Sequence, residues 1–433
     1  MASNALPGCC NCFGRAPPDA GPHHRRGERE MIDKRWSAVP VGPDADRWVT
    51  RRGCRTVLVV VHTIVTGQRL LDVLGLVEED HAVQAVFTQA PDVFSEGVSD
   101  LLRSAGALEI PWEQAVRERF DLGLAAAYGG IAEVHAPMLV LPHGAGHAKK
   151  TPLAGTGAPG RRSVYGLGPE HLVKAGRVVP ASIVLSHEAQ LAVLAEQCPE
   201  ATGVALVAGD PCFDQLAASA GHRNDYRREL DIGPDQELVL VTSTWGRHSL
   251  FGRHPELLGT LLSQLDPDRY RVAAMVHPAA WAGHGRRQLK AWLAEERAAG
   301  LLLIEPETDW KAVVVAADRV IGDHGSTTVY AAALGKPVLH TDIPLGELDD
   351  ESAQAYVGRH APRLLRFQPI EPQLHQAPPA NWGPQVAQRL TSRPGQAHRL
   401  LREEMYRLLR LPVPGKHRAV APASLRTHGG RGV

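Results

Sequence analysis

The sequence predicts an α/β fold of two doubly wound domains with a cleft between them, and three observations carry that expectation. Short apolar, β-branched runs alternate with helical stretches from Arg55 to His340, as the strand–helix–strand units of a parallel sheet do. The chain has 433 residues, too many for one ordinary core and enough for two domains of roughly 150 to 200 residues with tails. Polar turns, several of them glycine-containing, recur just past the ends of the apolar runs, where open α/β sheets gather ligands.

Taken in order, the first domain spans 51–220. It opens on Arg55–Val61, a continuous apolar run that predicts a strand buried on both faces. Gln68–Val77 reads as helix, Ala82–Thr88 as strand, Val93–Ser104 as helix and Leu122–Ala127 as a further apolar segment. The strand Met138–Leu141 runs into the turn His143-Gly144-Ala145-Gly146-His147-Ala148-Lys149-Lys150. Ala181–Ser186, His187–Glu196 and Gly203–Val207 follow as strand, helix and strand. Asp214, just beyond, suits either the cleft or a helix cap. The second domain spans 235–395, with strands at Leu238–Val241, Val272–Val276, Leu301–Ile304, Arg319–Gly322 and Val338–His340. A helix at 396–411 has apolar residues at helical spacing and is expected to pack back across a domain.

Composition narrows the partners. Lysine plus arginine balances aspartate plus glutamate at 47 each, which removes any global electrostatic reason to expect a nucleic acid or a bulk anionic membrane. Of six cysteines, Cys9, Cys10 and Cys12 cluster while Cys54, Cys198 and Cys212 stand apart. Lacking a second cluster or a ligand pair, they make neither a zinc site nor a disulfide framework, and the cytoplasm is the expected compartment. No run approaches the ~20 apolar residues of a membrane span, so no transmembrane segment is expected, with peripheral membrane contact left open. Residues 1–50 read as a disordered extension in which Met31 is an alternative start, and residues 412–433 as a flexible tail.

Four polar turns carry the candidate chemistry. In Asp323-His324-Gly325-Ser326-Thr327-Thr328, the strand before and the helix after place small residues and three hydroxyls at a helix start. Its free N–H groups suit an anion such as a diphosphate, although the same hydroxyls would also serve as plain caps. His143 and His147, past a strand end, are where a substrate hydroxyl could lose a proton to an imidazole, with Gly144 allowing close backbone approach. Thr242–His248, which contains Thr244 and Arg247, and His277-Pro278 complete the ligand-bearing edge of the second domain.

The ordered series of His143-Gly144, Gly209–Leu216, Thr242–His248, His277-Pro278 and Asp318–Leu339 resembles the CDP-glycerol glycerophosphotransferases of teichoic acid synthesis. In that family the comparable stretches read approximately HGT, GYPRND, YAPTWR, HP and D-Y-S-S. The resemblance covers about 138–340 and implies a GT-B fold of two Rossmann-like domains. It also implies catalytic roles for His143 and His277, with Gly144 and His147 on the acceptor side. Thr244, Arg247, His277, His324, Gly325, Ser326, Thr327 and Thr328 would then hold the donor. The chain departs from the pattern at Gly246, His324, Cys212 and Phe213, which leaves the transferred group open.

The expected function is a transferase that moves a glycerol-phosphate-like or glycosyl group to an acceptor hydroxyl. Its donor substrate would be a CDP- or UDP-linked nucleotide diphosphate, with no further cofactor and no metal. A nucleotide-sugar 2-epimerase shares the architecture but needs a pair of catalytic carboxylates, and a non-catalytic nucleotide- or protein-binding module needs only the fold.

Overall fold

In a computed structural model of the chain, residues 36–42, 45–47, 49–151, 162–377, 381–415 and 417–425 are described. The cysteines at 9, 10 and 12, Met31 and most of the expected N-terminal extension lie outside them. The first sheet holds six parallel strands: β1 (Arg55–Val61), β2 (Val83–Gln89), β3 (Leu122–Ala125), β4 (Met138–Val140), β5 (Pro180–Leu185) and β6 (Ala205–Val207). They lie in the order β2-β1-β3-β4-β5-β6. Val57 through Val61 are fully buried, which explains why β1 reads as a continuous apolar run rather than an alternating one. The second sheet is also wholly parallel, with β7 (Glu237–Ser243), β8 (Tyr270–Val276), β9 (Leu302–Leu303), β10 (Arg319–Gly322) and β11 (Val338–His340). Its order is β9-β8-β7-β10-β11. Winding reverses between β1 and β3 in the first sheet and between β7 and β10 in the second, and such switch points open crevices beyond the strand ends.

Five helices set the relation between the sheets: α1 (Ile64–Leu74), α2 (Pro211–Ser219), α3 (Trp310–Ala316), α4 (Ser326–Ala333) and α5 (Ala397–Leu409). α1 begins earlier than the sequence pattern predicts because Thr63 and Thr66 form a reciprocal capping box. Leu70, Val73 and Leu74 pack under the first sheet, together with Leu401, Met405, Tyr406 and Leu409 of α5. The C-terminal helix thus returns to the first domain. Asp214, on α2, fixes its start by accepting from the backbone N–H of Gly395 at 2.6 Å and of Ala397 at 2.9 Å.

The described residues at both ends differ from the expected extension and tail, and residues 426–433 of that tail lie outside them. Val39 and Val41 are buried in the core of the first domain, and Ser37 exchanges two hydrogen bonds with the Gln114 side chain, at 2.9 and 3.1 Å. In the expected tail, the Ala423 carbonyl accepts from the Tyr226 hydroxyl at 2.7 Å, and its N–H donates to Ser219 Oγ at 2.8 Å. A few small apolar residues in otherwise polar segments meet grooves in the folded surface that composition alone does not reveal.

The other side of α1 faces the second domain and carries polar side chains that are nevertheless buried. Gln68 Nε2 donates to the Pro306 carbonyl at 2.9 Å. Asp72 pairs with Lys311 of α3 at 2.7 Å. Arg69, 3% exposed, donates to the Gly144 carbonyl at 2.9 Å and the Tyr330 hydroxyl at 3.1 Å, and lies 3.5 Å from Asp210. Tyr330 in turn donates to Asp210 at 2.8 Å. Asp210 also caps α2 by accepting from the Phe213 N–H. One buried cluster therefore joins α1, the His143-Gly144 turn, the chain crossing between domains and α4. Removing the cation strands a carboxylate in the protein interior, a loss of about 3–5 kcal/mol. Arg69→Ala should accordingly lower the thermal midpoint far more than Tyr330→Phe, which keeps the ion pair and costs about 1 kcal/mol. Equal, small effects in parallel melts would show that the cluster does not hold the domains.

Candidate functional site

The two switch points face one cavity of about 380 Å³. On the second domain it is bordered by the ends of β7 and β10, and Asp323 shapes that border. Its buried carboxylate accepts from Thr244 N, Thr244 Oγ1 and Leu250 N, each at 2.8 Å, and from Gly325 N at 3.0 Å. Four hydrogen-bond donors converging on one side chain hold the turns after β7 and β10 in place. Gly322 brings the strands close to α4, since a Cβ there would lie 2.2 Å from Thr328 Oγ1 and 2.6 Å from Thr242 Oγ1. Gly325 precedes α4 as its N-cap and gives no side-chain cap, and Gly325, Ser326 and Thr327 line the cavity. A helix start of this kind presents unpaired N–H groups and roughly half a positive charge.

The first domain supplies the opposite wall. Ala145 N donates to Ser326 Oγ at 3.0 Å, and a Cβ on Gly144 would meet that oxygen at 2.5 Å, so the histidine turn and the helix start touch through a glycine. His143 Nδ1 lies 3.0 Å from the Ala126 carbonyl. A carbonyl only accepts, so Nδ1 carries the proton and Nε2 keeps its lone pair. His277 has the opposite arrangement. Its Nδ1 accepts from Ala279 N at 3.1 Å, which leaves the proton on Nε2. Burial lowers His143 to about 4, opposed by the Ala126 carbonyl and reinforced by the charge of Lys149. Burial, with Lys149 and His143 adding to it, lowers His277 to about 3. Both imidazoles are therefore neutral near pH 7, one as a base and the other as a hydrogen-bond donor.

Of the residues expected from sequence, His143, Gly144, His147, Thr244, His277, His324, Gly325, Ser326 and Thr327 line this one cavity. His147 is buried, with Nδ1 3.2 Å from the Tyr165 carbonyl. Two residues are not brought there. Arg247 follows Gly246, whose φ of +83° turns the chain, and its Nε donates to His248 at 2.9 Å on the exposed side. Thr328, in the first turn of α4, points back into the sheet, 1% exposed, with Oγ1 3.0 Å from Thr242 Oγ1.

The sequence reading passed over His62, Asp92, Phe94 and Tyr128, which also line the cavity. His62 follows the end of β1 and could have been found by the rule that found His143. Phe94 could not, because its contact with Trp245 across the cleft, ring centroids 4.7 Å apart, joins two distant loops. Among the described residues no group of three or more His, Cys, Asp or Glu side chains could hold a metal ion, and no helix is long and apolar enough to cross a membrane.

No family model matches the chain, and neither does any curated protein. Solved structures do. A variant of the wall teichoic acid polymerase TagF soaked with CDPG is similar over 89% of this chain and 94% of that one, at 11% identity and TM-score 0.55. TagF itself gives TM-score 0.53 at 10% identity, covering 89% and 96%. A UDP-GlcNAc 2-epimerase from Neisseria meningitidis, bound to UDP-GlcNAc, gives 0.50 at 14% identity, covering 82% and 100%. At these identities the likeness shows the fold, and the chain has the GT-B arrangement of two Rossmann-like domains with a cleft between them.

The buried histidines make a pH prediction. Burial is the largest cause in holding His147, His324 and His398 to about 4, besides His277 at about 3. These values lie below the ordinary 6.5, so the unfolded chain binds protons that the folded chain refuses. Stability is therefore full above about 6.5 and is lost as pH falls toward the folded values, by up to about 1.4 kcal/mol per pH unit for each such histidine. The thermal midpoint should fall from pH 7 to pH 5. His147→Asn, which can still donate to the Tyr165 carbonyl, should make the decline shallower, and a flat profile for the parent protein would contradict the buried neutral state.

Proposed function

We propose that the chain is a transferase that binds a nucleotide-diphosphate donor in the cleft and moves a glycosyl or glycerol-phosphate-like group to an acceptor hydroxyl. The observation that carries this reading is the pair of neutral histidines with opposite tautomers facing one cavity beside an uncapped helix start. The acceptor hydroxyl gives its proton to His143 Nε2 as its oxygen bonds to the electrophilic centre. The bond from that centre to the leaving phosphate oxygen breaks, and the electron pair leaves with the nucleotide. His277 Nε2–H and the first N–H groups of α4 stabilise the growing charge. With a sugar donor the centre is the anomeric carbon and a nucleoside diphosphate leaves. With a glycerol-phosphate donor the centre is phosphorus and a nucleoside monophosphate leaves.

The carboxylates lining the cavity favour a transferase over an epimerase. Asp323 is occupied by four donors, and Glu305 pairs with Arg286 at 3.1 Å and Lys290 at 2.6 Å. Asp92 accepts from Phe94 N at 2.8 Å. None is left as a free acid–base pair on the two sides of a sugar carbon. The engagement of all three supports the reading in which imidazole, rather than carboxylate, takes the proton.

The test separates binding from turnover. His143→Ala should lower kcat by about 10²-fold or more with donor affinity little changed. His277→Ala and Thr327→Asp should each raise the donor Kd about tenfold or more, a loss of about 1.4 kcal/mol. The acid in the first turn of α4 should leave the unliganded thermal midpoint nearly unchanged. Thr328→Val, which alters a hydroxyl facing the sheet, should leave donor affinity unchanged. Unaltered donor binding in folded His277→Ala and Thr327→Asp would overturn this assignment of the phosphate side.

A further inference from the structure

A nucleoside diphosphate carries at least two negative charges, and the groups named so far offer little to neutralise them. The start of α4 contributes roughly half a charge. His143, His277 and His324 are held neutral, and no metal-binding group of acidic or histidine side chains is found among the described residues. Of the described residues that line the cavity, Lys149 is the one lysine, and no arginine is among them. Lys149 is an exposed residue and borders the cavity. No ion pair joins its ammonium to a described carboxylate, in contrast to Lys311, which holds both Asp72 and Asp309. Burial lowers the Lys149 ammonium and the charge of Asp323 opposes that shift, but Asp323 has its oxygens already taken by four donors.

The backbone around Lys149 is fixed from both domains. The Lys149 carbonyl accepts from Tyr165 N at 2.7 Å, the Ala148 carbonyl accepts from Asp349 N at 2.7 Å, and Lys150 N donates to the Glu347 carbonyl at 2.9 Å. Lys149 itself forms an antiparallel bridge with Leu348. The side chain therefore extends from a strap that ties the first domain to the second, at the level where the histidine turn meets α4. Its charge acts on His143, His277 and His324 alike, as expected for a cation lying among them. None of the backbone contacts needs the side chain.

We infer that Lys149 is the phosphate-binding cation of this site, so that the donor diphosphate is neutralised by a lysine of the first domain, without a divalent metal. The inference rests on the proposed reading of the cavity as a nucleotide-diphosphate site. It adds that the diphosphate, bound on the second domain, is clamped from the first. The clamp also explains how the phosphate side functions with Arg247 turned outward, since the full charge arrives from across the cleft. Affinity for the phosphates then depends on the strap that holds the two domains together.

Titration calorimetry in EDTA with CDP, UDP, cytidine and uridine, on the full chain and on Lys149→Met and Lys149→Arg, tests this. The parent protein should bind one of the diphosphates at least tenfold more tightly than its nucleoside. Lys149→Met should lose tenfold or more of diphosphate affinity while nucleoside affinity stays within twofold and the thermal midpoint is kept, and Lys149→Arg should recover most of the loss. Unchanged diphosphate affinity in folded Lys149→Met overturns the lysine assignment and leaves the proposed function standing. So does parent binding that vanishes in EDTA and returns with Mg²⁺, because the charge would then be a metal's. Equal loss of nucleoside and diphosphate affinity overturns it as well, making the side chain structural. No binding of either diphosphate by the parent protein overturns both the inference and the reading beneath it.

Discussion

The buried contact of Arg69 with Asp210, Tyr330 and the Gly144 carbonyl is the constraint on which the rest of the molecule depends. A guanidinium removed from water must find charge and acceptors inside the protein, and this one finds them in three separate parts of the chain. Satisfying it places α1 against α4 and seats the turn carrying His143 beside the helix start of the other domain. The cleft is thus a consequence of polar satisfaction as well as of apolar packing. The Asp72–Lys311 pair and the Gln68 contact repeat the arrangement along the same helix.

Within that frame, backbone groups decide what each histidine can do. A carbonyl fixes the proton of His143 on Nδ1 and an N–H keeps the proton of His277 off Nδ1. The same residue type, lining the same cavity, offers a lone pair on one wall and an N–H on the other. Desolvation keeps both uncharged, and among the described residues the one cationic side chain lining the cavity belongs to the first domain.

The positions of the strands were legible, and three of them to the residue. Arg55–Val61, Arg319–Gly322 and Val338–His340 were bounded correctly, because strands of a sheet covered on both faces leave unbroken apolar runs. α1 was less clear: Gln68, Arg69 and Asp72 suggest a solvent face, whereas they lie at an interface between domains. Residues just past strand ends gave most of the candidate site, since topology brings every such turn of a parallel sheet to one edge. The exceptions follow from local geometry. Gly246 turns Arg247 outward, and helical rotation returns Thr328 to the sheet. Asp210 and Asp323 are single carboxylates in turns, and no spacing announces that several donors will converge on them. Their roles exist only in three dimensions.

The most direct measurement is a crystal structure with bound CDP or UDP. The account predicts diphosphate density in the cavity, with phosphate oxygens within hydrogen-bonding distance of the first N–H groups of α4 and of His277 Nε2, and His143 Nε2 left facing the acceptor side. Phosphates located away from α4, or a nucleotide held elsewhere on the molecule while this cavity stays empty, would contradict it.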